Sequence, residues 1–209
     1  RVARNAQKFV QEAQIALGFP IEVIAGVEEA RLIYIGTSHE APAVSGNRLV
    51  IDVGGGSSEF IIGKGYEPKL LESLYIGCVS HSIRFFPNGA IDPHSFKEAE
   101  LAARREVQVI KGRFNKSGWN QVIGSSGTAR ALADLIADNK LNGSEEKGTL
   151  ESLELVTSGI ITIHGLKALK RKVLDVDHID RIQLINLKDD RRPVLPGGLS
   201  IMLAIFDEF

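Results

Sequence analysis

The sequence has few of the features that mark secreted or membrane-spanning chains. Its 209 residues include one cysteine, Cys78, so no disulfide can form within the chain and a reducing compartment is expected. No apolar run approaches the ~20 residues of a membrane-spanning helix, and no secretory signal pattern is recognised. We therefore expect a cytoplasmic protein without a transmembrane segment, and leave open a peripheral position at the membrane.

A dominant charge of one sign is also lacking. Lysine and arginine number 25 against 26 for aspartate and glutamate, a net charge of -1, which argues against nucleic acid as a partner. The five histidines show no metal-ligand spacing. Cys78 lies in an apolar context without a neighbouring histidine, which predicts a buried structural thiol rather than a nucleophile.

The most informative stretch that is present is LVIDVGGGSSEFIIG, residues 49–63. Two short apolar runs, 49–51 and 60–62, predict two strands joined by a glycine turn. Glycine lets backbone N–H groups approach an anion without a Cβ in the way, and serine hydroxyls add donors. The stretch predicts a phosphate loop, although the residues alone also allow a hairpin with a glycine bulge and a solvated serine tip. The phosphate-binding candidates are Gly54, Gly55, Gly56, Ser57 and Ser58.

Two carboxylates flank this turn, Asp52 before it and Glu59 after it. They would repel a bare phosphate unless a hard cation stands between them, or unless they orient a water molecule. We therefore predict a Mg²⁺ cofactor with Asp52 and Glu59 as its protein ligands.

A second small-residue turn lies in QVIGSSGTARAL, residues 121–132, which predicts a strand, a turn and a helix start. Either Ser126 or Thr128 could cap this helix, whose N-terminus would suit a phosphate or a nucleotide. Neither turn has the spacing of a Walker or a dinucleotide loop. The candidates are Gly124, Ser125, Ser126 and Gly127.

The order of predicted elements indicates an α/β fold. Three sequential antiparallel strands are preceded by a helix over residues 2–17, a short strand over 21–24 and a helix over 30–35. Helices and one more strand follow them. Asp92 and Pro93 predict the start of a long helix. A further helix is predicted over residues 150–156. An apolar tail helix is predicted over residues 199–209, after two glycines. This is a mixed β-sheet flanked by helices, on the ribonuclease H-like plan.

The long helix also carries a basic face, which indicates either a solvated surface or a track for a long polyanion. Its members are Arg104, Arg105, Lys111, Arg113 and Lys116.

Five motifs occur in an order that resembles one known family, the exopolyphosphatase / guanosine pentaphosphate phosphatase family. They are GVEEARL (26–32), DVGGGSSE (52–59), GCVS (77–80), GSSGT (124–128) and LPGGL (195–199). The resemblance covers essentially the whole chain, and the set is specific although each piece alone is weak.

The resemblance implies a fold and a division into domains. The family belongs to the actin-like ATPase superfamily, with two ribonuclease H-like domains facing a cleft. Residues 1–27 would end the first domain, 28–195 would form the second, and 196–209 would be a helix crossing back to the first. The family's first phosphate loop is absent, so we expect a fragment that folds, binds polyphosphate weakly and does not hydrolyse it. Its least stable parts should be the helix over 2–17 and the tail helix, whose apolar faces would lack a partner.

The resemblance also implies an activity. Glu29 would be the general base that activates water, and Asp52 and Glu59 would act with it by holding Mg²⁺ or water. The substrate would be inorganic polyphosphate, with terminal phosphate released; guanosine pentaphosphate is the alternative, and the complete protein would be a homodimer. Two further hypotheses remain: a nucleotide-binding domain that does not hydrolyse, which the Glu28–Glu29 pair disfavours, and a structural or partner-binding module.

Overall fold

The computed structural model describes residues 5–142 and 159–209. The helices of these parts are α1 Ala6–Leu17, α2 Gly26–Glu40, α3 Cys78–Phe85, α4 Pro93–Ser117, α5 Gly127–Asp138, α6 Ile163–Leu174 and α7 Leu195–Glu208. The strands are β1 Arg48–Val53, β2 Ser58–Lys64, β3 Glu67–Leu74 and β4 Gln121–Gly124. Three short 3₁₀ turns lie at Pro87–Gly89, Ile179–Arg181 and Arg192–Val194.

The four strands form one mixed sheet in the order β3-β2-β1-β4. β1 and β2 pair antiparallel, as do β2 and β3, whereas β1 and β4 run parallel. Helices cover the sheet, so the predicted α/β class with a mixed sheet flanked by helices is confirmed. The parallel pair matters for function, because it brings the carboxyl ends of β1 and β4 to the same edge.

Strand alternation divides the apolar side chains between two faces of the sheet. Leu49 and Phe60 are fully buried on the face covered by the later helices. Val50 and Ile61 lie on the opposite face, in a smaller cluster with Ala30 and Tyr34 of α2. The helix α2 is therefore the cover of the second face, and its start lies where the polar ends of β1 and β2 emerge.

The tail helix α7 is the centre of the main core, and the expectation that its apolar face lacks a partner is wrong. Leu199 and Ile201 are fully buried, and the helix packs against α3 and α4. It also begins at Leu195 rather than at 199, with Gly197 and Gly198 inside it. A Cβ on Gly197 would lie 2.5 Å from the carbonyl oxygen of Cys78, so the glycine permits close helix packing. Cys78 itself is buried, as predicted.

The helix α1 contrasts with α7, because it has no buried residue. Phe9 and Ile15 on it are 67% and 83% exposed. Its C-terminus is as predicted, with Gly18 in the left-handed conformation at φ 74°. The exposure agrees with the expectation that this helix has an uncovered apolar face.

Two boundaries differ from the sequence-based expectation. Residues 21–24 form no strand, and Val23 is 63% exposed; a short β-rich run is no strand without a neighbour to pair with. The helix α2 begins at Gly26 rather than at residue 30, so Glu28 and Glu29 lie in its first turn. The predicted helix over residues 150–156 lies outside the described parts of the chain.

The basic face of α4 is largely engaged within the fold. Arg104 and Lys111 donate to the buried carboxylate of Glu208, at 2.9 and 3.0 Å. The hydrogen bond from Lys111 is the main reason that the pKa of Glu208 is lowered. Arg113 pairs with Glu72 of β3. These ion pairs favour a structural surface over a track for a polyanion.

Candidate functional site

The two predicted turns meet at one edge of the sheet. β1 and β4 run parallel, and the residue after β4, Ser125, donates its backbone N–H to the carbonyl of Ile51 at 3.0 Å. The hydroxyl of Ser125 donates to Oδ2 of Asp52 at 2.7 Å. The chain thus ties its second turn directly to the carboxylate that precedes its first turn.

The carboxylates Asp52 and Glu59 stand side by side on this edge. They are register partners in the antiparallel β1–β2 pair, a position that holds Cβ atoms about 4.5–5.5 Å apart. Alternation places both on the face that carries Val50 and Ile61, under α2. On the next strand Ser73 lies opposite Glu59 and donates to its Oε1 at 2.9 Å.

The start of α2 adds a third carboxylate to this face. Glu29 is exposed, and its negative charge is close enough to Glu59 to raise the pKa of that carboxyl. Its neighbour Glu28 is held by Arg31 in a bidentate pair, with N–O distances of 2.9 and 2.7 Å. That hydrogen bond lowers the pKa of Glu28. Of the pair, Glu28 is therefore engaged by Arg31, whereas the carboxylate of Glu29 is exposed.

The environment of Glu59 raises its pKa. Burial is the largest cause, because Glu59 is 1% exposed and the charged form loses its water. The charges of Glu29 and Asp52 act in the same direction, and hydrogen bonds from Ser57 and Ser73 oppose them. A crowded group of carboxylates of this kind is stabilised by a cation, and perturbed pKa values of this origin concentrate at functional sites.

The first turn is held by the N-terminus of α3. Within the turn, the N–H of Gly54 donates to the carbonyl of Ser57 at 2.9 Å. Cys78 donates its N–H to the carbonyl of Gly54 at 2.8 Å, and Val79 donates to that of Gly55 at 3.0 Å. The start of α3 thereby engages two carbonyl oxygens that would otherwise repel an anion at the turn.

This contact depends on a glycine outside the predicted site. A Cβ on Gly77 would lie 2.5 Å from the carbonyl oxygen of Gly55, so the approach of α3 requires a residue without a side chain. Gly55 and Gly56 remain exposed at the tip of the turn. The backbone at the tip of the turn is therefore exposed, and the start of α3 holds the turn in place.

The side chain of Ser58 does not act as predicted. It is fully buried, and its hydroxyl donates to the carbonyl of Ile76 at 2.7 Å. Because Ser58 is the first residue of β2, its side chain alternates into the core instead of lying at the tip of the turn. The hydroxyl of Ser58 is thus already bonded within the fold, whereas Ser57 before it remains partly exposed.

In the second turn Ser126, not Thr128, is the cap of α5. Its hydroxyl accepts the N–H of Ala129 at 3.0 Å. Gly124 ends β4, and Gly127 begins the helix. The guanidinium of Arg191, more than sixty residues further along the chain, lies against Gly127. Single-sequence reasoning has no signal for such a long-range approach.

The residues suit a hard cation only in part. Asp52 and Glu59 offer carboxylate oxygens, which Mg²⁺ prefers. In residues 5–142 and 159–209 no group of three or more His, Cys, Asp and Glu side chains is arranged to hold a metal ion. A Mg²⁺ ion here would keep several water or phosphate oxygens, which is its usual behaviour. Over the same residues, no helix combines the length and apolar character that crossing a bilayer requires.

Solved structures share this fold. An Aquifex aeolicus Ppx/GppA enzyme superposes with a TM-score of 0.75 at 24% identity, over 99% of this chain and 64% of that one. An exopolyphosphatase from Cytophaga hutchinsonii gives a TM-score of 0.76 at 22% identity, over 98% of this chain and 64% of that one. At these identities the likeness concerns the fold.

Sequence relatives carry two different names. A Haemophilus influenzae protein named as an exopolyphosphatase is 37% identical over 209 residues, all of this chain and 60% of that protein. A guanosine-5'-triphosphate,3'-diphosphate pyrophosphatase of Vibrio cholerae is 38% identical over 207 residues, 99% of this chain and 38% of that protein. The chain thus spans 60% or less of the length of these two curated relatives.

The profile of the Ppx/GppA phosphatase family matches residues 1–209, the whole of the sequence. The chain therefore belongs to the Ppx/GppA phosphatase family.

Proposed function

We propose that this chain supplies the water-activating wall of a phosphoanhydride hydrolase that releases terminal phosphate from inorganic polyphosphate. The observation that carries the proposal is the convergence of Glu29, Asp52 and Glu59 beside a glycine turn. Three elements contribute these carboxylates: the start of α2, the end of β1 and the start of β2. Phosphoryl transfer needs mainly charge neutralisation and positioning. The carboxylates would position the attacking water and hold a cation that offsets the phosphate charge, and the turn would position the phosphate.

The proposed roles follow from the geometry. Glu29 is exposed and has no described hydrogen-bond partner, so it is the candidate base that takes a proton from the attacking water. Asp52 and Glu59 would hold a Mg²⁺ ion, whose charge would offset that of the phosphate oxygens. The backbone N–H groups of Gly55, Gly56 and Ser57 would bind the phosphate itself, since that of Gly54 already donates to the carbonyl of Ser57.

Guanosine pentaphosphate remains the second candidate substrate, because the relative named for guanosine-5'-triphosphate,3'-diphosphate is 38% identical and the relative named as an exopolyphosphatase is 37% identical. A nucleotide-binding domain without hydrolysis is less consistent with the site, since binding alone gives no role to an exposed carboxylate at Glu29. A cytoplasmic location and a homodimer in the complete protein stay predictions.

The test is phosphate release by the full-length protein, measured with long-chain polyphosphate and with guanosine pentaphosphate at equal concentrations of terminal phosphate. We expect a higher kcat/KM on polyphosphate, and loss of both activities in Glu29→Gln. A preference for guanosine pentaphosphate would reassign the substrate. Release of phosphate from neither substrate would refute the proposed function.

A further inference from the structure

A row of polar side chains crosses the whole sheet at one level, next to a row that is wholly apolar. From one edge of the sheet to the other, the polar row is Ser73 of β3, Glu59 of β2, Asp52 of β1 and Ser125 directly after β4. Two residues away on the same face, toward the middle of the strands, the corresponding row is Leu71, Ile61, Val50 and Ile123. The change from apolar to polar therefore occurs at the same step on every strand, at the edge that carries the glycine turn.

The two serines at the ends of the polar row donate inward to the two carboxylates. The hydroxyl of Ser73 donates to Oε1 of Glu59 at 2.9 Å, and that of Ser125 donates to Oδ2 of Asp52 at 2.7 Å. Each carboxylate is thus held by the outer strand on its own side. Like charges at opposite register positions repel each other, so these two bonds help to decide where the carboxylates lie relative to each other.

Glu59 needs this support more than Asp52 does. It is 1% exposed, so without a donor its carboxylate would be buried and poorly solvated. A glutamate side chain also has one more rotatable bond than an aspartate side chain, and it loses more conformational freedom when it is fixed.

The bond between Ser73 and Glu59 is poorly explained by stability alone. An apolar pair at these two positions would need no hydrogen bond, and replacing both partners of a buried bond by apolar groups is often nearly neutral. The chain has such a pair in the next row, where Ile61 lies opposite Leu71. A serine opposite a buried glutamate is therefore better explained by a task that the glutamate performs.

We propose that Ser73 is a positioning residue of the hydrolytic site, which acts through Glu59. Its hydroxyl fixes the carboxylate of Glu59 beside that of Asp52 before substrate binds. The inference rests on the proposed function, because Glu59 is one of the three carboxylates to which that function is assigned. Charged groups that are held in place in advance need no reorganisation during the reaction, so they contribute mainly to its rate.

The test compares two substitutions in the full-length protein, Ser73→Thr and Ser73→Val. Threonine keeps the hydroxyl donor, valine replaces it by a methyl group of similar size, and both suit a strand. We expect kcat for phosphate release to be about 10–100-fold lower in Ser73→Val than in Ser73→Thr, the range seen when a hydrogen bond that orients a metal ligand is removed. KM should be nearly the same in both, because the phosphate would be bound by the glycine turn and not by β3.

Crystal structures of the same variants give a readout that does not depend on activity. In Ser73→Thr the carboxylate of Glu59 should keep its place beside Asp52, whereas in Ser73→Val it should turn away or lose a single position. Ser73→Ala, which adds no bulk, replaces Ser73→Val if circular dichroism shows that the larger side chain prevents folding.

The control is Ser200→Ala. Ser200 is fully buried in α7, and its hydroxyl donates to the carbonyl of Gly197 at 2.9 Å, the length of the bond from Ser73 to Glu59. This variant loses a comparable hydrogen bond away from the polar row, so its kcat should stay at the value of the parent protein.

An unmoved Glu59 carboxylate in Ser73→Val, or equal kcat in the threonine and valine variants, would overturn the role of Ser73. So would an equal loss of kcat in Ser200→Ala, since any lost buried hydrogen bond would then have the same effect. Failure of the proposed function is a different result. In that case the parent protein itself would release no phosphate, and the position of the Glu59 carboxylate in the crystals would still decide whether Ser73 holds it.

Discussion

Ser125 and Asp52 join the two turns of the site through a 2.7 Å hydrogen bond between residues 73 positions apart in the chain. The bond crosses from the end of β4 to the end of β1, which are parallel neighbours. It orients the carboxylate of Asp52 and occupies one of its oxygens. Substitution of Ser125 in the second turn should therefore affect the carboxylate that precedes the first turn.

Ser125→Ala removes this link. We expect a loss of about 0.5–1.5 kcal/mol in unfolding free energy, as for one hydrogen bond, and a reduction of turnover because Asp52 is no longer oriented. Urea unfolding and phosphate release measure the two effects. The control is Ser95→Ala, which removes a comparable bond from Ser95 to Asp92 at the start of α4. An equal loss of turnover in both variants would argue against a specific role for Ser125.

Glu29→Gln tests the base. If Glu29 accepts the proton of the attacking water, its amide should lower turnover by about 10²–10⁴-fold with little change in stability. Glu28→Gln is matched to it in position and chemistry, but breaks only the exposed pair with Arg31. Turnover measured in parallel should fall sharply in the first variant alone; the reverse pattern would move the role to Glu28.

Asp52→Asn tests the metal. The substitution keeps an acceptor for the Ser125 hydroxyl but removes a charge, so a higher Mg²⁺ concentration should be needed for half-maximal activity. Glu72→Gln, in the exposed ion pair with Arg113, is the control for a lost carboxylate outside the site. If the Mg²⁺ dependence of Asp52→Asn matches that of the parent protein, Asp52 is a structural acceptor and not a ligand.

Glu59 should make stability depend on pH. Its pKa is raised in the folded state, so the folded protein binds this proton more tightly than the unfolded chain does. The resulting stabilisation is complete below the ordinary glutamate pKa of about 4.3, and it is lost as the pH rises through the raised value.

The comparison with Glu59→Gln measures this effect. The unfolding free energy of the parent protein, minus that of the variant, should decrease as the pH rises from about 4 toward neutrality. Glu106→Gln, on the exposed side of α4, is the control for the loss of an exposed carboxylate. A flat difference for Glu59→Gln would mean that ionisation of this carboxyl is not linked to folding.

The contrast between α1 and α7 predicts unequal effects of truncating apolar side chains. Leu199→Ala, at a fully buried position, should cost about 2–5 kcal/mol of unfolding free energy. Ile15→Ala, at a position that is 83% exposed, should change it by less than about 0.5 kcal/mol. Chemical denaturation followed by circular dichroism gives both values. A large cost at Ile15 would show that α1 is covered in solution.

Local chemistry made part of this structure predictable. The strands on either side of the glycine turn were found because their apolar runs are short and bounded by turn residues. The start of α4 was found because Asp92 can accept from the N–H groups of His94 and Ser95, as it does at 2.9 Å. The resemblance to a family grouped Glu29, Asp52 and Glu59; in the structure Asp52 and Glu59 are register partners of β1 and β2, and Glu29 lies in the first turn of α2.

The features that were not predicted from the sequence have a common physical cause: they depend on contacts between residues far apart in the chain. Gly197 and Gly198 indicated a helix entry, but they lie inside α7, where Cys78 and Thr128 approach too closely to leave room for a Cβ. Residues 21–24 have a strand-like composition, but no strand within residues 5–142 and 159–209 pairs with them. Arg191 reaches Gly127 across the fold, and no pattern within either stretch indicates the other.

The position of α7 also has a consequence for biosynthesis. Its Gly197 bonds to Ser82, 115 residues earlier, and its Glu208 to Arg104, 104 residues earlier. A nascent chain that has already formed the sheet must therefore keep the apolar side of α4 uncovered until residue 208 leaves the ribosome. Such a delay exposes the intermediate to aggregation, so the domain should depend on chaperones, or on a slow rate of translation, more than its modest size suggests.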